Sequence, residues 1–512
     1  MNKFENELYD LPRGWIWTQI KEIGANEAYA IVDGPFGSHL KISDYVKNGK
    51  IPVMSITNID EGFQESKLRY ITEEKFNSIK RSAVKPGDII VAKIGSSYGK
   101  SGYYPEWMPV GIIPANMLKI TVNKLVNRHY VFFYLKSTLL RTFLDRITKS
   151  TAQPAFNVSS FRDLPFPLPP AMQQQRVSTK IEELFACLDA GVEGLRKVKA
   201  QLNRYRQAVL KYAFEGKLTE EWRKTHRDQI EPATKLLERT RQQRGVDKER
   251  NTYSMEENLP KLPEEWTRTT IGELAEINPR LTNENLPADS EVSFLPMKAV
   301  EEKTGRFDSS IVRKYEEVKR GYTSFEDGDV LFAKITPCME NGKIAVVEKL
   351  RNGIGFGSTE FHVIRPRANE TPKKLFFYYL LMDGFREDAQ RNMTGSAGQL
   401  RVSARYLRNA TIPLCSFEEQ QRIVEEVEFR FSITQEVAEI IDTTLLHSEQ
   451  MRQSILKTAF EGKLVPQDPN DEPAGKLLEH IKAERTKSKG EKDTKRGIKN
   501  KPKQLELSSY VK

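Results

Sequence analysis

The sequence predicts an α+β protein made of one unit used twice, each copy a mixed globular domain followed by a long helix. Three observations predict it. Short motifs recur in the same order about 245 positions apart. Two segments show short β-rich runs broken by Gly, Pro and Asn. Two later segments show apolar residues at helical, heptad-like spacing.

The repeat comes first because it sets the register for everything else. Gln174-Gln175-Arg176 returns as Gln420-Gln421-Arg422, and residues 210–218 (LKYAFEGKL) return as 456–464 (LKTAFEGKL). Residues 231–238 (EPATKLLE) return as 472–479 (EPAGKLLE). Upstream, Leu11-Pro12-Arg13-Gly14-Trp15 is echoed by Leu262-Pro263-Glu264-Glu265-Trp266, and residues 87–94 (GDIIVAKI) by 328–335 (GDVLFAKI). The helical parts agree closely, whereas the segments before them share only scattered anchors. A common frame carrying two surfaces with different tasks would look like this, and so would drift after duplication, which erodes exposed loops first.

Residues 1–170 and 251–414 are the two α+β domains. Each has a strand candidate at 89–94 or 330–335 and an aromatic helical stretch at 130–143 or 375–385. Residues 171–250 and 415–485 are the two helical regions, and 486–512 is a basic, disordered tail. In the first helical region the seam runs Ile181, Leu184, Leu188, Gly191, Leu195, Val198, Leu202, Tyr205, Val209 and Tyr212. Pro169-Pro170 precedes it and Gly216 follows. Transferred to the second half, the register reads Val427, Arg430, Thr434, Val437, Ile441, Thr444, Ser448, Met451, Ile455 and Thr458, a weaker seam with polar interruptions. Ser416-Phe417-Glu418-Glu419 has the form of a capping box. A helix over 173–215 would be about 65 Å long and needs something to pack on. The seam in the other half of the chain is the nearest candidate, and a second subunit is the alternative.

Composition bounds the function class. Of 512 residues, 38% are hydrophobic and 29% charged, which suits a soluble protein with real cores. The longest apolar run, 375–382, falls well short of the roughly 20 residues a membrane span needs. The opening residues have no apolar signal core, so the expected location is cytoplasmic. Cys187, Cys338 and Cys415 are far apart and unpaired in pattern, which argues against a disulfide framework or a zinc site. The net charge of +10 invites a nucleic-acid partner, but residues 482–503 alone carry ten Lys/Arg and three Asp/Glu. Any DNA-binding surface elsewhere must come from local clustering.

With these motifs in view, the chain resembles the specificity subunits of type I restriction–modification systems. The resemblance rests on Leu-Pro-x-x-Trp at the start of both halves and on 86–90 (PGDII) with its echo at 327–331. It rests equally on the Gln-Gln-Arg helix starts and the Ala-Phe-Glu-Gly-Lys-Leu endings at 213–218 and 459–464. It implies two target recognition domains, separated by two long helices that pair as an antiparallel coiled coil with pseudo-twofold symmetry. Each domain would read half of a bipartite, asymmetric site in double-stranded DNA. Two modification subunits would methylate adenine with S-adenosylmethionine, and two restriction subunits would add translocation and cleavage using ATP and magnesium. This chain would bind none of these cofactors and no membrane, and would carry no catalysis. The tail beyond about Ala483 has no counterpart in the repeat.

A base reader needs donors and acceptors on short rigid loops, and cations for phosphates. In the first domain the run 92–102 leaves a strand as a small, glycine-rich loop. Ser96, Ser97 and Tyr98 supply hydroxyls there, and Lys93 and Lys100 supply charge. The matching run 334–343 offers Lys334, Thr336, Asn341 and Lys343. Further candidates are Ser38, His39 and Lys41 after a Gly-Pro turn, Gln153, and Gln399 with Arg401. Arg69 and Arg306 are candidates for phosphate.

Other classes fit less well. Residues 95–101 (GSSYGKS) resemble a phosphate loop but have three residues between the glycines instead of four. Asp88 with Lys93, and Asp329 with Lys334, lack the further acid a metal-dependent nuclease needs, since Val91 and Phe332 stand there. No Asn-Pro-Pro-Tyr or Asp-Pro-Pro-Tyr is present for a methyltransferase. A coiled-coil protein whose domains bind other proteins would share the same helices. Loss of duplex affinity with rising salt separates that class from a DNA binder.

Overall fold

The computed structural model describes residues 4, 8–58, 65, 68–148, 154–244, 260–282, 286–367, 371–396 and 398–499. The chain divides into two compact units. One joins residues 1–194 with 444–512, and the other is 195–443. Each unit therefore holds one globular domain, the beginning of one long helix and the end of the other.

The two domains share a topology. In the first unit a four-stranded sheet runs in the order Ile31–Asp33, Met117–Ile120, Ile89–Ala92, Ser101–Tyr103. A second sheet runs Arg69–Ile71, Ile51–Val53, Gly111–Ile112, Ala83–Val84. In the second unit the corresponding orders are Ala275–Ile277, Phe361–Pro366, Val330–Ala333, Ile344–Val346 and Val312–Lys314, Glu291–Leu295, Ile354–Gly357, Thr323–Glu326. A two-stranded ribbon closes each domain, with Ile16–Gln19 on Pro165–Leu168 and Thr267–Thr270 on Thr411–Leu414. The strands Ile89–Ala92 and Val330–Ala333 are buried on both faces, which explains their unbroken apolar runs.

Each aromatic stretch, expected as one helix, is two. Arg128–Leu135 gives way to Thr138–Ile147, and Lys373–Leu380 to Asp383–Arg391. In the first, the Ser137 hydroxyl accepts from the Leu140 N–H and starts a new helix.

The long helices span Ala171–Phe214 and Phe417–Phe460, 44 residues each. They pair with one another inside each unit. In the first unit Arg452 lies over the Phe185 ring and pairs with Asp189. In the second, Arg206 lies over Phe431 and Lys199 pairs with Asp442. Partners descend along one helix as they ascend the other, so the pairing is antiparallel. Half of the expected seam faces inward: Ile181, Leu188, Leu195, Leu202 and Val209, with Val427, Thr434, Ile441, Ser448 and Ile455. The other half is displaced by one residue. Gly191, Val198, Tyr205 and Tyr212 are exposed, and Val192, Lys199, Arg206 and Ala213 are the more covered. Thr444 and Met451 are likewise exposed while Leu445 and Arg452 are half-buried. At Lys199, Arg206 and Arg452 the reason is that Lys and Arg stems cover apolar surface while their heads find partners, a role that apolar counting cannot register.

The repeated motifs interlock. The Pro12 ring abuts Gly462, and the Pro263 ring abuts Gly216. Both glycines have positive φ, +69° and +73°, as helix-terminating residues. The opening motif of each domain thus packs on the ending of the other half's helix. Trp15 Nε1 donates to Gln467 (2.9 Å), and Trp266 Nε1 donates to Glu419 (2.8 Å). Ser416 does cap its helix, accepting from the Glu419 N–H at 3.2 Å. The Glu419 carboxylate does not complete a capping box, because it is fully buried against Thr219, Arg223 and Trp266. The last helix, Ala474–Lys499, runs past residue 486, where a disordered tail was expected to begin.

Candidate nucleic-acid interface

Sheet polarity gathers the candidate loops. In the first unit, Met117–Ile120 is antiparallel to both Ile31–Asp33 and Ile89–Ala92. Those two strands therefore leave the sheet at the same end, sending out the segments 34–41 and 93–100. The domain's closing segment joins them: Gly95 N–H donates to Pro154 O (2.9 Å), and Ile94 bridges Ala155. The second unit repeats this. Phe361–Pro366 is antiparallel to Ala275–Ile277 and Val330–Ala333. Thr336 N–H donates to Leu400 O (3.0 Å) and Val402 N–H to Lys334 O (2.8 Å). The turn 301–306 lies alongside, with Lys303 N–H donating to Gly342 O (2.9 Å). Loops that are remote in sequence thus form one surface in each unit.

The individual side chains differ in availability. In the first unit Ser38 and His39 stand exposed on a short 3-10 turn, as does Lys41 just beyond it. Ser96 and Lys100 are exposed and Ser97 half-buried. Arg69, on the smaller sheet, is exposed and lies over the Tyr45 ring (5.1 Å). Lys93 is only 13% exposed and pairs with Asp33 at 2.7 Å; the same carboxylate takes Arg81 at 2.7 Å. The Tyr98 ring lies under Arg141 (3.8 Å), and its hydroxyl donates to Asp145. Gln153 lies outside the described residues.

In the second unit Lys334 is half-buried and Gln399 exposed. The Thr336 hydroxyl donates to Glu340 (2.9 Å), the Asn341 amide to Glu302 (2.9 Å), and the Lys343 ammonium to Met297 O (3.3 Å). Arg401 grips Glu360 with two hydrogen bonds, Nε to Oε2 at 2.9 Å and Nη2 to Oε1 at 2.8 Å. Arg306 is exposed on its turn. The sequence reading missed Asp33, Arg81 and Glu360. Asp33 stands 60 positions from Lys93 and 48 from Arg81, and Glu360 stands 41 from Arg401, so only the strand order brings them near.

The repeated Gly-Asp has a structural task. Asp88 is buried, accepting from Thr121 Oγ1 (2.6 Å) and Lys85 N–H (2.9 Å), with Lys119 at 3.3 Å. Asp329 accepts from Glu326 N–H (2.7 Å) and bidentately from Arg365, both bonds 2.7 Å. Burial pushes both carboxyls up, opposed by these cations. Behind the second surface, His362 is buried, with Nε2 2.8 Å from Val402 O and Nδ1 3.1 Å from Asn278. Burial holds its imidazole below the usual histidine range.

The sequence model of the type I restriction–modification DNA specificity domain matches residues 37–198 and 263–432. The chain belongs to that family. Among curated relatives it is 32% identical over 334 residues to the specificity subunit of the type I restriction enzyme EcoAI from Escherichia coli, a match covering 56% of each chain. The chain thus spans a little over half the length of that relative. With the EcoKI specificity subunit of Escherichia coli strain K12 it is 24% identical over 504 residues, covering 95% of this chain and 98% of the other. A chain from a solved structure, described as the structural basis of complex assembly and conformational transition of the type I R-M system, aligns with TM-score 0.61 and 18% identity. That alignment covers 89% of this chain and all of the other. Among the described residues no helix is long and apolar enough to cross a membrane, and no cluster of three or more metal-ligating side chains occurs.

Proposed function

We propose that the chain is the address-reading subunit of a type I restriction–modification complex in the cytoplasm, without catalysis of its own. Each unit reads one half of a bipartite, asymmetric site in duplex DNA, and the paired helices set the spacing between halves. Two modification subunits, using S-adenosylmethionine, methylate adenine at the address. Two restriction subunits, using ATP and magnesium, translocate and cleave. This chain holds none of these cofactors. Family membership supports the class of activity. The observation that carries the assignment of the reading surface is the recurrence, at one sheet end in each unit, of the same loop pair with different side chains (93–100 with 154–155, and 334–343 with 399–402). A shared frame with divergent loops is what two different half-sites require.

Single-molecule sequencing of DNA from cells carrying the system should show methyladenine at one bipartite motif. Replacing residues 94–101 with those of another reader should change one half of the motif and leave the other unchanged. A change in both halves, or in neither, would remove the loop from the reading surface.

A further inference from the structure

Several of the donors expected to meet DNA are already held by acids. Arg401 places the Nε–Nη2 edge of its guanidinium on Glu360 while its Nη1 donates to Gln399 O (3.0 Å), and Lys93 and Arg81 share Asp33. Neutral candidates follow the same pattern: Thr336 donates to Glu340 and Asn341 to Glu302. These acids are not copies of one residue. Asp33 ends the strand Ile31–Asp33, whereas Glu360 immediately precedes the strand Phe361–Pro366. The two units reach the same electrostatic arrangement with different residues on different strands.

From this we infer that Glu360 and Asp33 are positioning residues for specificity. They occupy the cationic readers of the free protein, so that the phosphates of arbitrary DNA cannot. A phosphate offers Arg401 the same bidentate acceptor geometry that Glu360 already supplies, so an arbitrary duplex gains nothing by displacing it. The matched half-site can displace it, because base-edge contacts along the whole loop pair add to the exchange. The low charge outside the tail fits this logic, since sequence-independent affinity grows with every free cation.

This inference rests on the units being DNA readers, and the test separates the two. The assembled complex is titrated with a duplex carrying its mapped site and with a scrambled duplex, across a range of salt concentrations. Wild type that fails to tell the two apart overturns the reading function itself. If wild type discriminates, Glu360→Gln should tighten scrambled-duplex binding roughly 3- to 10-fold and steepen its salt dependence by about one charge. The ratio of mapped to scrambled affinity should fall, with the melting temperature unchanged. In an Arg401→Ala background the same substitution should leave the salt slope unmoved. Unchanged or weaker scrambled binding overturns the proposal, and so does an equal gain in the Arg401→Ala background. Asp33→Asn, read out through Lys93 and Arg81, provides the independent variant should Glu360→Gln lower the melting temperature.

Discussion

Gln174 and Gln420 occupy the same place in the repeat, yet their hydrogen bonds differ. Both are fully buried, and each amide nitrogen donates to a backbone carbonyl, Pro169 O or Cys415 O, at 2.9 Å. Gln174 Oε1 also accepts from the Asn127 N–H (2.8 Å). Gln420 Oε1 has no partner, and the residue in the position of Asn127 is Pro372, which has no N–H to give. A buried acceptor without a donor costs about 1–3 kcal/mol. Pro372→Asn restores the donor and adds a helix cap like that of Asn127. Against this stands the entropy a proline removes from the unfolded chain, about 0.4–1 kcal/mol. We expect a net gain of about 1 kcal/mol, read as a higher denaturation midpoint with unchanged m-value; no gain would mean that Gln420 is satisfied by water. The sequence repeat identified the glutamine pair, but the proline's effect depends on which N–H faces it.

The elements were legible wherever one period dominated. The double-buried strands at 89–92 and 330–333, both long helices and the opening and closing motifs follow from pattern alone. The second seam position was misplaced at Lys199, Arg206 and Arg452 because they count as polar although they are half-buried. Candidate loops were found through the repeat, but their acidic partners were not, because Lys93–Asp33 and Arg401–Glu360 span 60 and 41 positions. At this scale the interlocked motifs make a sharp prediction. Gly462 has φ +69°, and a methyl group there would strike the Pro12 ring. Left-handed backbone costs a non-glycine residue roughly 1–2 kcal/mol, and crowding adds about 1–3 kcal/mol. Gly462→Ala should therefore destabilise the first unit by about 2–5 kcal/mol and loosen Trp15, measurable as a shift in its fluorescence. An equal loss in a Gly475→Ala variant, where a methyl group meets nothing within 4 Å, would refute the packing explanation.

For the whole molecule, the frame and the proposed reading surfaces have separate determinants. The frame uses residues repeated almost unchanged, such as Trp15 with Trp266 and Gly216 with Gly462. The surfaces use loops whose residues differ. Helix length should then act on spacing alone. A seven-residue insertion beside Leu195 in one helix should break the register of the pairing and abolish DNA binding. A matched insertion in the second helix should restore binding and shift the methylated motif to a longer internal gap. Restored binding with the original gap would end the role of the helices as a spacer.

The domain that leaves the ribosome first is not the one that can be finished first. Its hydrophobic core includes Leu456, Ala459, Phe460, Leu477 and Ile481, packed with Phe166 and Leu168. These late residues emerge about 300 positions after that strand, Pro165–Leu168. At roughly 5–20 residues per second the early domain waits on the order of tens of seconds with that apolar face open. In the unit formed by 195–443 the main core draws, among the described residues, on positions 209 to 431 and can close sooner. Chaperones engaged during synthesis should therefore favour the N-terminal part of the chain, and release it only after the end of the second long helix has been made.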